Sequence, residues 1–406
     1  MTERTSIRPK CKETLSIVNG DLIIGIHSII EGTGTPPTVK VEGTVYCEGK
    51  NTFECNLIAE ELEAEDDVTF NGDLTIRNNV EVEDGRLEVY GNITAKRLDA
   101  DAFVYVKQNL KVERADVGGG LKVDGNVRAD EIETGGSFET KGEAEIKKLD
   151  VGGSVLIGSQ AKIMELDVGG AAEVGGGVIR KVDVGGSFQS NDSLEFEIID
   201  VGGIVRLNKV NKGKSIDVGG LLKVVGEIEF EQIDVGGKVE ITGLCQGGSM
   251  EVGGKVEVKG ALRLSENLEV GGKVEVDDEV SAKNIEVGGV LNSKTAVAKE
   301  RMEVGGSINT REGASAYFIE IGTRGKIRGS ISAEQIIIGK EADVEDVYGK
   351  RILLRRGTRA ENIYGESVTI ESGCHINGEV KYTKELRMDE HVSLIRSPQK
   401  VDALPS

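Results

Sequence analysis

Along most of this chain, apolar and polar residues alternate in short runs, and the runs recur at a fixed distance. Alternation with a period of two belongs to strands, whereas an amphipathic helix places apolar residues every three or four positions. The tetrapeptide Asp/Glu-Val-Gly-Gly, with minor variants, punctuates the runs. Its first glycines are Gly118, Gly135, Gly152, Gly169, Gly185, Gly202, Gly219, Gly236, Gly253, Gly271, Gly288, Gly305 and Gly322. Ten of these 12 intervals are 17 residues, one is 16 and one is 18. So tight a period predicts one structural turn per repeat.

Counting from the valine before the glycine pair, the fifth position holds residues such as Leu121, Phe138, Val155 and Leu222. The seventh holds Val123, Ile157, Val174 and Val258. The eleventh carries Val127, Val178, Leu194, Ile228, Leu262, Val280 and Val297, and the sixteenth Ile132, Leu149, Leu166, Ile199, Ile216 and Leu268. Three short strands per 17 residues, each with an apolar inner side, describe a three-sided coil. The expected fold is all-β: a parallel β-helix of about 20 turns, on the order of 95 Å long at one strand spacing per turn. Parallel crossovers are overwhelmingly right-handed, and 17 differs from the 18 of three equal hexapeptides, so a right-handed coil is expected. The glycine pair reads as a corner, where positive φ and a missing Cβ would let the chain turn sharply. A lone turn cannot repay the entropy of ordering its residues, so stability must come from stacking.

Composition agrees with small buried pieces. There are 56 Gly, 8 Phe, 7 Tyr and no Trp. The formal net charge of -20 repels phosphate backbones and anionic headgroups, which argues against nucleic acid as a partner. Peripheral membrane contact stays open. The apolar-rich stretch 17–30 is interrupted by Asn19, Gly20, Asp21 and His27 and is too short to span a bilayer. Cys11, Cys47, Cys55, Cys245 and Cys374 follow no framework or metal spacing and read as small hydrophobes in a reducing, cytoplasmic setting.

The stretch Gly329-Ser-Ile331-Ser-Ala333, followed by Ile338-Gly339-Lys-Glu-Ala342-Asp-Val344, resembles a bactofilin core, and Val368-Thr-Ile370-Glu-Ser-Gly373 through Gly378-Glu-Val380 repeats the idea. Gly43-Thr-Val45 with Val68-Thr-Phe70 is a weaker echo. The resemblance implies a polymer-forming cytoskeletal element, built as a right-handed β-helix that joins end to end without nucleotide. This coil is several times longer than such a core, and its glycine-pair ladder is not a feature of that family. The expected division is an arm and irregular cap over 1–38, the β-helix over 39–387, and a cap and tail over 388–406. Within the helix, 116–320 hold the glycine-pair repeats and 321–387 the bactofilin-like turns.

The residue before each corner is acidic: Asp99, Asp116, Glu133, Asp150, Asp167, Asp183, Asp200, Asp217, Asp234, Glu251, Glu269, Glu286, Glu303 and Glu320. Stacked, these would form one line of carboxylates. Either corner N–H groups and flanking Lys or Arg satisfy each of them, or the line is a stripe for cations or a partner. No turn gathers a six-oxygen cage, and no cofactor motif is present. The glycine pairs precede strands, whereas a phosphate loop opens a helix. Lys350, Arg351, Arg355, Arg356 and Arg359 read as a mixed-sign solvated face beside Glu361 and Glu366.

Ile17, Ile23 and Ile29 at the start, and Leu386, Met388, Val392 and Leu394 at the end, are the candidates for capping the coil or docking it to another. The sequence therefore points to a non-enzymatic scaffold that self-associates through its coil ends. The rival readings are a monomeric binding module using the acidic column and, further off, a carbohydrate-active enzyme.

Overall fold

The computed structural model describes residues 3–405. Two units, Met1–Gly202 and Gly203–Ser406, each have their own internal packing. Each is an all-β solenoid of parallel strands with no helix among the described residues, and the two together hold about 23 turns, a few more than the sequence suggests. The surplus comes from the ends.

In the first unit the pattern is set at once. Asp21–Ile24 pairs in parallel with Arg4–Ile7, Ile29–Gly32 with Lys12–Leu15, and Thr38–Val41 with Ile17–Val18. Three strands make a turn, and every strand lies on its counterpart one turn earlier. Residues 4–38, expected as an arm and irregular cap, are thus strands already in register. The lengthened second turn passes through a cis Thr35-Pro36 bond. In the second unit Lys238–Ile241, Lys255–Val258 and Lys273–Val276 stack in the same way.

The inward positions are those the alternation picks out. Leu121, Phe138, Leu149, Leu166, Leu222, Ile233 and Val256 are all buried. The 15 aromatic residues that the composition allows are placed economically: Phe53 and Phe70 occupy one inner column and stack with ring centroids 4.5 Å apart, close to the rise of a single turn. Two expected core residues lie elsewhere. Val178 and Val297 point outward, with 42% and 36% exposure. In both cases the register shifts nearby, between Ile157 and Gln160 in one pairing and around Ala282 or Val297 in the other. Gly177 and Ala296 take the inward slots, pairing with Ala161 and Val280. A one-residue slip sends the valine to the opposite face.

The glycine pair makes a corner for a different reason from the one its sequence suggests. None of the glycines in the Asp/Glu-Val-Gly-Gly copies is among the positive-φ residues. What matters is the turn above. A Cβ on Gly152 would sit 2.5 Å from the carbonyl oxygen of Gly135, and one on Gly236 would sit 2.6 Å from that of Gly219. The backbone N–H of Gly152 donates to Thr134 at 2.9 Å and that of Gly153 to Gly136 at 2.9 Å, so the corners are bonded rung to rung. Only a residue without a Cβ permits so close a stack.

Replacing Gly152 by Ala is expected to lower unfolding stability by roughly 1–3 kcal/mol through forced displacement of the corner. The exposed outward residue Ser154, two positions on, should tolerate Ala within about 0.5 kcal/mol. Urea unfolding followed by circular dichroism compares the two.

Candidate functional site

Parallel stacking turns every outward position into a column, and three kinds of column follow. The acidic column is continuous in each unit. In the first, Glu63, Glu81, Asp99, Asp116, Glu133, Asp150, Asp167, Asp183 and Asp200 are successive register partners. In the second, Asp217, Asp234, Glu251, Glu269, Glu286, Glu303 and Glu320 follow one another, and the column ends at Ile337. Glu63 and Glu81 extend the column upstream of Asp99, beyond the acids that the repeat picks out. The signal was present in Leu62-Glu63-Ala64 and Val80-Glu81-Val82, an acid between two inward residues.

The corners do not satisfy these carboxylates. The corner N–H groups already donate to carbonyls of the preceding turn, as Gly169 does to Val151 and Gly253 to Val235, both at 3.0 Å. Flanking cations serve only some rungs. Arg97 pairs with Asp99 at 2.7 Å and Arg114 with Glu133 at 3.5 Å, and Arg301 reaches both Glu303 and Glu320.

Whether a rung is paired depends on the neighbouring outward column. In the first unit that column reads Glu131, Lys148, Glu165, Lys181, and it neutralises itself: Lys148 lies 3.4 Å from Glu131 and Lys181 2.9 Å from Glu165. In the second unit it reads Ser215, Gln232, Ser249, Asn267, Asn284, which carry no charge. Asp217, Asp234, Glu251, Glu269 and Glu286 consequently form five rungs with no ion pair or side-chain hydrogen bond among the described residues. Mutual repulsion shows at Asp167, whose pKa is raised by burial and then by Asp150 and Asp183. Glu63 is raised by burial and by Glu81, Glu61 and Glu83. Among the described residues, no group of three or more His, Cys, Asp or Glu side chains is placed to hold a metal ion.

The face after the glycine pair behaves in the opposite way. Lys238, Lys255 and Lys273 form one column and Glu240, Glu257 and Glu275 the next. Lys238 bonds to Glu240 at 2.5 Å and approaches Glu257 at 3.4 Å, and Lys255 contacts both Glu257 at 3.2 Å and Glu275. Lys238 and Lys255 thus each bridge their own turn and the next. Hydrogen bonds from Lys255 first, then from Lys259 and Lys273 respectively, hold the Glu257 and Glu275 carboxyls down at about 2. Amide ladders continue the theme: Asn109 donates to Asn92 at 2.9 Å and Asn309 to Asn292 at 2.7 Å. Farther along, Lys350 pairs with Glu334 on the preceding turn at 2.6 Å and Arg355 with Glu371 on the following turn at 3.8 Å, so part of the basic cluster is tied to acids on adjoining turns.

The ends differ from what the sequence suggests at one terminus. Ile17, Ile23 and Ile29 stand beside Lys40, Tyr46 and Thr52 in outward columns, and Ile17 is 66% exposed on the coil's flank. The inward neighbours Val18, Leu22, Ile24 and Ile30 form the core there. At the other terminus Leu386, Met388 and Leu394 continue the inner columns of Val368, Ile370 and Ile376. Those three predecessors are at most 1% exposed, whereas Met388 is 43% exposed and Leu386, Val392 and Leu394 are half-buried. Among the described residues, the last turn is covered only over Lys381 and Tyr382, by Gln399 and Lys400. Burial raises the thiol pKa of Cys47 to about 12 and of Cys55 to about 11, and that of Cys245 further still. These side chains are inert core hydrophobes.

Fold and surface together define a β-solenoid whose outward residues run in charge-sorted columns and whose last turn lies open. No protein-family model matches the chain, and no curated protein or solved structure does so either.

Two measurements follow from the opposed columns. Asp167→Asn is expected to raise stability at pH 7 by roughly 0.2–1 kcal/mol in low salt. The gain should shrink with salt, and also as pH falls through the raised pKa of Asp167, where the native carboxylate takes up its proton. Glu257 and Glu275 have depressed pKa values, so their contribution is complete above the ordinary carboxylate value and lost as pH falls toward about 2. Lys255→Met should flatten that acid limb in urea titrations run at successive pH values.

Proposed function

We propose that this chain is a non-enzymatic scaffold of bactofilin-like character, which associates through coil ends without nucleotide. The observation that carries the reading is the last turn. Leu386, Met388 and Leu394 occupy inner columns with no strand stacked beyond them among the described residues, so apolar surface that earlier turns cover is left in water. An open parallel edge with an apolar inner side is a template for another chain. Three further features support a structural role. The short corners leave no room for the long insertions that wall an enzyme cleft. The columns are rigid, regular and repeated, which suits presentation of a surface better than turnover. The similarity of 329–380 to a bactofilin core adds the polymer-forming expectation. Unpaired, buried thiols suit a reducing compartment such as the cytoplasm.

A second reading has its own observation. The five unpaired carboxylates from Asp217 to Glu286, with neutral polar residues alongside, would serve a monomeric binding module that takes a cationic partner. Sedimentation velocity across a hundredfold range of protein concentration separates the two. The scaffold reading expects association that grows with concentration and persists in chelator and without nucleotide. A species that stays monomeric throughout, yet binds a polycation in proportion to the intact carboxylates, would replace the first reading with the second.

A further inference from the structure

Strand Val380–Met388 is the outermost rung on the acidic face. Its inner edge pairs with Arg359–Ile370, and only Lys381 and Tyr382 are covered from outside, by Gln399 and Lys400. The outer edge of 385–388 has no strand partner among the described residues. Residues 401–405 do not cover it. Val401 bonds to Tyr382, and Leu404 and Pro405 lie beside Tyr348 and Tyr364 on another side of the coil.

The sequence along this free edge is Lys384-Glu385-Leu386-Arg387-Met388. Turned antiparallel upon itself about Leu386, it places Glu385 opposite Arg387 twice over, and Leu386 against Leu386. A two-fold axis along the face normal keeps inward residues inward, so the half-buried Leu386 and the exposed Met388 of both copies would close one core. Toward its own coil the same pair meets only Ser367 and Thr369, which are uncharged. Glu385 and Arg387 touch each other at 2.7 Å and are more than half exposed.

The first turn of the first unit lacks these properties. Its inward slots over Leu22 and Ile30 hold Thr5 and Glu13, both exposed. A charge at an inward position is a device that prevents an edge from accepting another strand.

The geometry points to a tail-to-tail dimer, in which the edges of 384–388 from two copies pair antiparallel about Leu386 and the N-terminal ends stay free. This rests on the scaffold reading above and sharpens it: the partner is a second copy of this chain, the contact is isologous, and growth stops at two. Charge reversal tests it on the full-length chain. Glu385→Arg opposes Arg to Arg, and Arg387→Glu opposes Glu to Glu. Each variant alone should dimerise at least about tenfold more weakly than the parent. The double variant restores opposite charges and should dimerise like the parent. An equimolar mixture of the two single variants should form heterodimers, since each then faces its complement.

Thermal melts establish that every variant is folded, and sedimentation equilibrium with mass photometry reads the stoichiometry. Dimers that follow this charge pattern support the inference. Dimers indifferent to both reversals overturn it and leave end association standing, and filaments of the parent protein do the same by showing that the N-terminal end also docks. A parent protein monomeric at every concentration overturns both.

Discussion

The structure depends on one constraint, that each turn must lie directly on the last at strand spacing, about 4.8 Å. Every inward side chain is then packed mainly by its equivalents above and below, and every outward one is aligned with its own kind. The corners set how closely this can be done. Carbonyls of Gly135 and Gly219 come so near the glycines of the next turn that a Cβ would collide with them. Gly-Gly is therefore a packing requirement of the stack and not a conformational requirement of the bend. Positive φ appears instead at scattered places such as Gly177 and Gly357, where the repeat slips or fades.

Alignment of like residues has a cost where they are charged, and the two charged faces handle it differently. On the face after the glycine pair, lysines and glutamates lie in adjacent columns, so each charge sees the opposite sign on its own rung and the next. Depressed carboxyl pKa values at Glu257 and Glu275 record that compensation. On the acidic face, the second unit provides neutral neighbours for Asp217 through Glu286 and no cation. Exposure to water limits the repulsion there, since like charges in high dielectric interact weakly. The same exposure keeps the stripe available to a cationic partner.

The first turn of the first unit and the last turn of the second are not alike. At the first turn, polar Thr5 and charged Glu13 stand where apolar residues stand elsewhere. At the last, Leu386, Met388 and Leu394 keep the interior pattern with no rung beyond. This asymmetry, more than any pocket or cluster of reactive groups, is what suggests a protein that meets a partner through an end.

Period and alternation determined the class of fold, the three-sided turn and most of the core from the sequence alone, because identical spacing forces identical residues into register. The acidic column was legible for the same reason, apart from Glu63 and Glu81 in the fainter turns upstream. Register at the irregular places was decided only in three dimensions. Ile17, Ile23 and Ile29 looked like an apolar cap, yet a difference of one position puts them outside, and slips likewise exchange Val178 for Gly177 and Val297 for Ala296. Nor could sequence separate the paired from the unpaired carboxylates, since that depends on which residues of neighbouring turns come to lie alongside. An order of residues along one chain fixes what repeats; only stacking fixes what each repeat faces.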